Sequence, residues 1–243
     1  MQDHAVTQNL DFEYETCVNQ YGLYCVPNVM RKREVCRIVL KGEVNEPRTL
    51  NFIRHYGKKG DVVSGGAFIG DFLPAIATAL ESDQILYSFE PNPMSFAAAQ
   101  ETIRLSQLKN VRLAPVAVGQ EQGTVVLEVT SKEGRALGGI SKVVERQLDE
   151  RAVEVSMTTL DELVDPERYI SLIHLDIEGF EWHAILGARE TIARCKPIII
   201  LEGGIPEKRQ RYIEGFRSEF PDLDYRLVGN MDRNAFFRAD CDA

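Results

Sequence analysis

The sequence predicts an α/β fold in which a mostly parallel, doubly wound sheet is covered by helices on both faces, after a small N-terminal extension. Two observations predict it. From Asp61 onward, short apolar runs alternate with helix-like segments. The first of these units, residues 61–92, reads as strand, glycine-rich turn, helix, strand and acid, which is typical of a nucleotide-binding βαβ unit.

A length of 243 residues suits one α/β domain, alone or with a small appendage. The formal net charge of −9 argues against a nucleic-acid backbone as the main partner, so we expect no nucleic-acid ligand. No apolar run approaches the roughly 18 residues of a membrane helix, and the first residues show no signal-peptide pattern. The five cysteines include no C-x-x-C pair, which favours thiols in a reducing compartment. We therefore expect a cytoplasmic protein without a membrane span.

Residues 1–46 lie outside the alternating pattern, and we expect them to form an N-terminal cap on a main domain that covers residues 47–243. Their aromatic and apolar side chains indicate that the segment packs on something. That surface is either the chain's own domain or a second subunit, and the second case would make a homo-oligomer. A basic cluster in the segment is either a solvated face or a contact to an anion or substrate. Its members are Arg31, Lys32, Arg33 and Arg37.

The remaining elements follow in order. A helix begins at Glu46-Pro47, with proline in its first turn, and ends near Tyr56. Residues 130–152 are polar, contain glycines and show no apolar period, which predicts a mobile loop or lid. The other predicted elements are strands at 62–63, 85–89, 111–118, 124–129, 153–157, 172–177 and 197–201, helices at 72–80, 93–105, 159–163, 181–194 and 207–220, and a terminal hairpin at 225–228 with 235–237.

The turn after the first strand distinguishes between two classes of ligand. Its glycines, Gly65, Gly66 and Gly70, do not have the G-x-G-x-x-G spacing that binds a pyrophosphate. Asp71, at the start of the following helix, is a poor neighbour for a pyrophosphate. Glu90 follows the second strand directly and can accept hydrogen bonds from two ribose hydroxyls. S-adenosylmethionine has no phosphate and needs such a carboxylate, so the residues favour it as cofactor over a dinucleotide.

Several short stretches between residues 57 and 204 follow one another in a recognisable order. They are GDVV at 60–63 with GAFIG at 66–70, FEPNP at 89–93, PVAVG at 115–119, TTLDEL at 158–163, HLDIEGFE at 174–181 and LGAR at 186–189. Together they resemble the FkbM family of S-adenosylmethionine-dependent O-methyltransferases. The resemblance implies a class I, Rossmann-like fold with a seven-stranded sheet, S-adenosyl-L-methionine as cofactor, and methyl transfer to a hydroxyl group.

The resemblance also assigns roles to particular residues. The turn should face the methionine end of the cofactor, and the ends of the second and third strands should face its ribose and adenine. The predicted cofactor-binding residues are Ser64, Gly66, Ala67, Gly70, Glu90, Pro91, Asn92, Val116 and Ala117. The reacting groups of this class lie after the fourth strand, so the predicted catalytic residues are His174, Asp176 and Glu178.

The chain departs from the family pattern at three positions. The family usually has aspartate where this chain has Ser64, often has asparagine where it has Phe68, and commonly has lysine where it has His174. The first departure removes a partner for the ammonium group of the cofactor.

His174 and Asp176 are two residues apart on a predicted strand, so their side chains should share a face. An alcohol acceptor benefits from a general base within hydrogen-bond reach. A carboxylate beside an imidazole can orient it and make it more basic. We therefore expect His174 as the base, with Asp176 as its orienting group or as a second base. The alternative is a buried structural histidine.

Glu178 and Glu181 have three open interpretations: they start the following helix, recognise substrate hydroxyls, or join Asp176 and Glu202 around a divalent ion. We assign no metal. Carboxylates near Trp182 would suit a sugar or polyol.

The sequence therefore predicts an O-methyltransferase that acts on a hydroxyl of a small molecule or of a sugar or glycan intermediate. Two alternatives remain. One is a degenerate relative that keeps the cofactor-binding fold but has lost turnover, and the other is a dinucleotide-dependent oxidoreductase.

Overall fold

The computed structural model describes residues 11–131, 137, 141–143 and 149–239. In chain order its helices and strands are β1 (Tyr14–Asn19), β2 (Gly22–Pro27), α1 (Glu34–Leu40), α2 (Pro47–Tyr56), β3 (Asp61–Gly65), α3 (Leu73–Ala77), β4 (Leu86–Phe89), α4 (Pro93–Leu105), β5 (Val111–Ala114), β6 (Ala117–Val118), β7 (Gly123–Glu128), β8 (Lys142–Val143), β9 (Ala152–Thr158), α5 (Leu160–Leu163), β10 (Ile170–Leu175), α6 (Glu181–Leu186), α7 (Arg189–Cys195), β11 (Ile198–Glu202), α8 (Pro206–Glu219), β12 (Tyr225–Met231) and β13 (Asn234–Ala239).

The described residues form a central sheet of seven strands in the order β12-β13-β11-β10-β3-β4-β5. The five strands from β11 to β5 pair in parallel, whereas β13 joins β11 antiparallel and forms a hairpin with β12. The predicted α/β class, with a mostly parallel sheet of seven strands and a terminal hairpin, is therefore confirmed. A four-stranded sheet, β6-β9-β7-β8, and the β1-β2 hairpin lie beside it.

The strands β3, β4 and β10 are fully buried and mostly apolar because both of their faces are covered. Successive residues point to opposite faces and enter two different cores. One core contains Val63, Ile173 and Ile199 and is closed by α6, α7 and α8. The other contains Val62, Leu172 and Ile200 and is closed by α2 and α3.

Two predicted elements were too long. The strand expected over 111–118 divides at Pro115, which has no N–H for the ladder: β5 stays in the central sheet, and β6 pairs with β9. The helix expected over 181–194 breaks into α6 and α7 at Gly187, where a Cβ would lie 2.0 Å from the carbonyl oxygen of Gly119. The side chain of Asp161 caps the first turn of α7, because its carboxylate accepts hydrogen bonds from the N–H groups of Glu190 and Thr191.

The described part of the N-terminal segment packs on the chain's own domain. The N–H groups of Leu23 and Cys25 in β2 donate to the hydroxyls of Ser106 and Thr102 at the end of α4, at 2.9 and 3.0 Å. Apolar side chains of β2 and α1 share a core with Phe68 and Ile69 of the turn after β3. The segment therefore rests directly on the glycine turn.

The predicted lid over 130–152 lies largely outside the described residues. Within that range, Lys142–Val143 forms β8, which pairs antiparallel with β7. The longest described helix has 14 residues, and none of the described helices combines the length and the apolar character of a membrane span.

Gly70 offers a test of the packing between the turn and α4. Its φ is +81°, and an added Cβ would lie 3.1 Å from the side chain of Thr102. We expect Gly70→Ala to lower the free energy of unfolding by about 1–2 kcal/mol, because an L-residue is strained in the left-handed region. Urea denaturation measures the change.

The matched control is Gly123→Ala, at the start of β7, where an added Cβ meets no atom within 4 Å and φ lies outside the left-handed region. We expect its effect to stay within about 0.5 kcal/mol. Equal effects of the two substitutions would contradict the packing argument.

Candidate functional site

Two adjoining cavities lie at the carboxyl ends of the central strands. The chain runs from β3 to β4 and β5 in one direction, then returns to β10 and β11 on the other side of β3. The β3–β10 boundary is therefore the switch point of the sheet, where α/β folds bind their ligands. The larger cavity has a volume of about 310 Å³. Gly66, Asp176 and Glu178 line both cavities and mark their junction.

The turn after β3 approaches the end of β10 so closely that residue 66 has no room for a side chain. A Cβ on Gly66 would lie 1.9 Å from the carbonyl oxygen of Asp176, and φ there is +80°. The N–H groups of Gly66 and Ala67 donate to the carbonyl oxygen of Phe89, at 3.2 and 3.1 Å, and thereby tie the turn to β4. The turn is consequently held by both neighbouring strands.

Glu90 fixes the same turn from the other side. One carboxylate oxygen accepts from the N–H of Phe68 at 2.8 Å, and the other accepts from the N–H of Asn92 at 2.9 Å. The Phe68 contact stabilises a left-handed residue, with φ of +48°. Burial raises the pKa of Glu90 to about 7, although both N–H contacts act in the opposite direction. Glu90 thus forms a buried but reachable wall of the smaller cavity.

The predicted cofactor-binding residues divide into three groups. Ser64, Gly66 and Ala67 line the larger cavity. Gly66, Glu90, Pro91 and Ala117 line the smaller cavity, whose other walls are mainly apolar. Gly70, Asn92 and Val116 line neither cavity.

The third group has packing and capping roles instead. Gly70 allows the turn to approach Thr102. Asn92 is the N-cap of α4, where its side-chain oxygen accepts from the N–H groups of Met94 and Ser95. Val116 packs against the main core.

The three predicted catalytic residues all reach the larger cavity, but His174 is paired with Ser64 and not with Asp176. Its Nδ1 lies 3.2 Å from the Ser64 hydroxyl oxygen, because the two residues are register partners on β10 and β3. The predicted orientation of His174 by Asp176 was therefore wrong: a register partner on the adjacent strand is nearer than a residue two positions along. Burial lowers the pKa of His174 to about 4, so the ring is neutral at pH 7.

Asp176 is the acid at the junction of the cavities. Burial raises its pKa to about 8, with further contributions from Glu202, Glu46, Glu178 and Glu181. A carboxyl group with such a pKa exchanges protons near neutral pH, which suits acid–base work.

Comparisons with known proteins agree with this architecture. Residues 64–227 match the methyltransferase FkbM domain, which is more than half of the chain. The chain belongs to the methyltransferase FkbM family. It is therefore a member of an S-adenosylmethionine-dependent methyltransferase family, as the sequence motifs predicted. A comparison with curated proteins found no significant match.

Solved structures show the same fold. The FkbM methyltransferase from Methylobacillus flagellatus KT is 16% identical, with a TM-score of 0.50 over 74% of this chain and 43% of the other. Trm5b from Pyrococcus abyssi is 11% identical, with a TM-score of 0.52 over 95% and 57% of the two chains. TYW2 from M. jannaschii, solved with AdoMet, is 13% identical, with a TM-score of 0.52 over 93% and 86%. The chain thus spans about half the length of the first two proteins, and identities this low show the fold alone.

In this FkbM domain Asp176 belongs to a cluster of three acids, two of which pair with a lysine. Asp176, Glu181 and Glu202 each place an oxygen within 4.8 Å of the others, a spacing that a divalent ion could bridge. Lys208 already brings positive charge there, with its Nζ 2.6 Å from Glu202 and 3.2 Å from Glu181. We therefore assign no metal to the cluster.

Glu181 is a structural acid. It is 1% exposed, and its Oε1 accepts from the N–H groups of Ile177 and Gly179. Its Oε2 accepts from the hydroxyl of Tyr212 at 3.1 Å. Glu181 therefore shapes the turn that carries Glu178, which itself has a left-handed φ of +56°.

The expected contribution of Trp182 to a sugar site was wrong. Trp182 lines neither cavity and packs against Tyr212 and Phe216 of α8, where Gly215 leaves space for its ring. The sequence could not distinguish a core position from a cavity position here, because side chains in the first turn of the helix that follows the site can point either way.

Sequence reasoning missed wall residues such as Glu34 and Arg233, and it left the basic cluster with Arg33 open between a solvated face and a contact to an anion or substrate. Arg33 and Glu34 reach the larger cavity from the N-terminal segment, and Arg233 reaches it from the β12–β13 turn. By contrast, Arg31 of the same basic cluster pairs with Glu15 on the surface. The basic cluster was the one available signal, and it did not indicate which of its members faces the site.

Lys208→Met tests the role of the lysine. The substitution leaves Glu181 and Glu202 without their shared cation, so we expect the free energy of unfolding to fall by about 1–3 kcal/mol near pH 7. Chemical denaturation at pH 7 measures the change.

The control is Arg31→Met, which removes an exposed ion pair with Glu15. Such pairs contribute about 0–1 kcal/mol. If Lys208→Met cost no more than this control, the lysine would not be the counter-charge of the cluster.

Proposed function

We propose that the chain is an S-adenosyl-L-methionine-dependent O-methyltransferase that acts on a hydroxyl of a small molecule or of a sugar or glycan intermediate. The observation that carries the proposal is the junction of the two cavities. Gly66, Asp176 and Glu178 line both of them. A nucleoside in the smaller cavity and an acceptor in the larger one would meet beside two carboxyl groups.

The residues present fit this cofactor. Glu90 stands at the wall of the smaller cavity with lone pairs that two backbone N–H groups do not exhaust, which suits two ribose hydroxyls. Phe89, Val118 and Phe180 offer apolar surface for adenine. Ser64, Gly66 and Ala67 line the larger cavity, into which the amino-acid end of the cofactor would extend.

Asp176 is our proposed general base. When bound, the cofactor supplies a methyl group on a sulfonium, with a neutral thioether as leaving group. The carboxylate of Asp176 would accept the proton of the acceptor hydroxyl as that oxygen takes the methyl group, and the bonding electron pair would remain with the thioether leaving group. Glu178, at the same junction, would orient the hydroxyl.

His174 is the weaker choice for the base. A pKa of about 4 means that its neutral ring has little affinity for a proton at pH 7. Its buried position also makes the imidazolium costly, whereas the same burial makes the Asp176 carboxyl a stronger base. We therefore propose Asp176 for proton transfer and a different role for His174.

Acids on the cavity wall support this acceptor class. Glu34, Asp71, Glu178 and Glu202 can accept hydrogen bonds from several hydroxyls of one acceptor. The net charge of −9 and this acidic wall both oppose a nucleic-acid substrate. An N-terminal cap over residues 1–46 and a cytoplasmic location complete the proposal.

Isothermal titration calorimetry with S-adenosylmethionine, S-adenosylhomocysteine and NAD tests the proposal directly. We expect both sulfur nucleosides to bind and NAD not to bind. Glu90→Gln should weaken S-adenosylhomocysteine binding by about 10-fold or more, because hydrogen bonds to a charged group contribute about 1.5–3 kcal/mol.

The control is Glu162→Gln, an exposed acid outside both cavities. Absence of binding by both sulfur nucleosides would overturn the proposal. Binding without turnover on any sugar or polyol acceptor would favour the degenerate relative that lacks activity.

Asp176→Asn should abolish most of the turnover but keep the affinity for S-adenosylhomocysteine, which carries no sulfonium charge, within a few-fold. The wild-type rate should rise with pH, because the base must be deprotonated and its pKa is raised to about 8. A bound sulfonium charge favours the carboxylate, so kcat should level off at lower pH than kcat/KM for the cofactor. The pH dependence of S-adenosylhomocysteine formation on a panel of sugars and polyols measures both. An unchanged rate in the Asn variant would remove Asp176 as the base.

A further inference from the structure

The ring of His174 has one nitrogen for which the described part of the chain supplies no partner. The side chain is 4% exposed, and Nδ1 faces the Ser64 hydroxyl, but Nε2 has no hydrogen-bond partner among the described residues. The ring also lines the larger cavity and stacks on Phe72, with centroids 5.3 Å apart and planes inclined by 11°. A buried polar atom without a partner costs free energy, so a ligand group at this point would remove that cost.

The position of the ring relative to the junction identifies the ligand group. Ser64 and His174 are register partners, and each lies two residues before a junction residue, Gly66 and Asp176 respectively. Two residues of a strand span about 7 Å. A cofactor with its nucleoside by Glu90 and its sulfur at the junction would therefore extend its aminocarboxypropyl chain over this pair.

The pair suits both polar groups at the end of that chain. A serine hydroxyl can donate to Nδ1 or accept from it, so Nε2 can act as a donor or as an acceptor. As an acceptor it would bind the α-ammonium group, and as a donor it would bind the α-carboxylate. The pair itself carries no charge, and Asp71 and Asp176 on the walls of the same cavity supply negative charge toward the ammonium.

We propose that His174 is a positioning residue whose Nε2 forms a hydrogen bond to the amino-acid end of the cofactor, with Ser64 holding the ring through Nδ1. This inference rests on the proposed function, because it needs a sulfonium nucleoside in the cavities. It assigns His174 to cofactor binding and leaves proton transfer to Asp176.

The test compares S-adenosylhomocysteine with 5′-methylthioadenosine, which shares the nucleoside and the sulfur but lacks the amino-acid end. Calorimetry at pH 7.5 is run on the wild type, on His174→Leu and on His174→Gln. We expect His174→Leu to weaken S-adenosylhomocysteine about 10- to 100-fold and to leave 5′-methylthioadenosine within about 3-fold. His174→Gln, whose amide can reach the position of Nε2, should recover part of the loss.

Thermal denaturation of the unliganded variants separates positioning from folding. The Tm of His174→Leu should fall only slightly, because removal of the unpartnered nitrogen offsets the hydrogen bond that the Ser64 hydroxyl loses, and leucine keeps an apolar group against Phe72. Equal weakening of both nucleosides, or no weakening of either, would overturn the inference. If neither nucleoside bound more weakly but turnover was lost, Nε2 would instead contact the methyl acceptor. Failure of the wild type to bind either nucleoside would instead overturn the proposed function itself.

Discussion

The contact between the turn after β3 and the end of β10 is the constraint on which the site depends. Gly66 packs against the carbonyl of Asp176 at a distance that no side chain could occupy. This approach brings the ends of two parallel strands together at the switch point of the sheet. It places Asp176 between the two cavities. It also places Ser64 and His174 side by side, each two residues before the contact on its own strand. A bulkier residue at position 66 would separate these groups before it touched any ligand.

Glu90 extends the same constraint to β4. Its two carboxylate oxygens hold the N–H groups of Phe68 and Asn92, so one acid fixes the turn and the start of α4 together. Asn92 then caps α4, and β2 packs along that helix. The N-terminal segment is thereby tied to the site through a continuous chain of contacts, and its Arg33 reaches the cavity wall. The walls come from parts of the chain that are distant in sequence.

Charge is arranged to favour a cationic ligand. Burial raises the pKa of Asp71 and Glu90 to about 7 and that of Asp176 to about 8. The stability that these groups contribute is complete below about pH 4, where the carboxyl groups are protonated in the folded and the unfolded chain, and it falls as pH rises from about 4 to 8, where only the unfolded chain ionises freely. A sulfonium or ammonium beside them offsets that cost, since it favours the ionised form. The acids therefore destabilise the unliganded site and favour the bound one.

The sequence by itself determined the fold class, the family and the segments that build the site. Apolar runs and glycine turns are local signals. Motifs such as GAFIG and HLDIEGFE place residues that suit particular backbone conformations at fixed spacings. Tertiary structure decided which side chains meet. The register of β3 against β10 paired His174 with Ser64, and α8 placed Lys208 between the acids. Such pairings depend on neighbours far along the chain, and no local pattern encodes them.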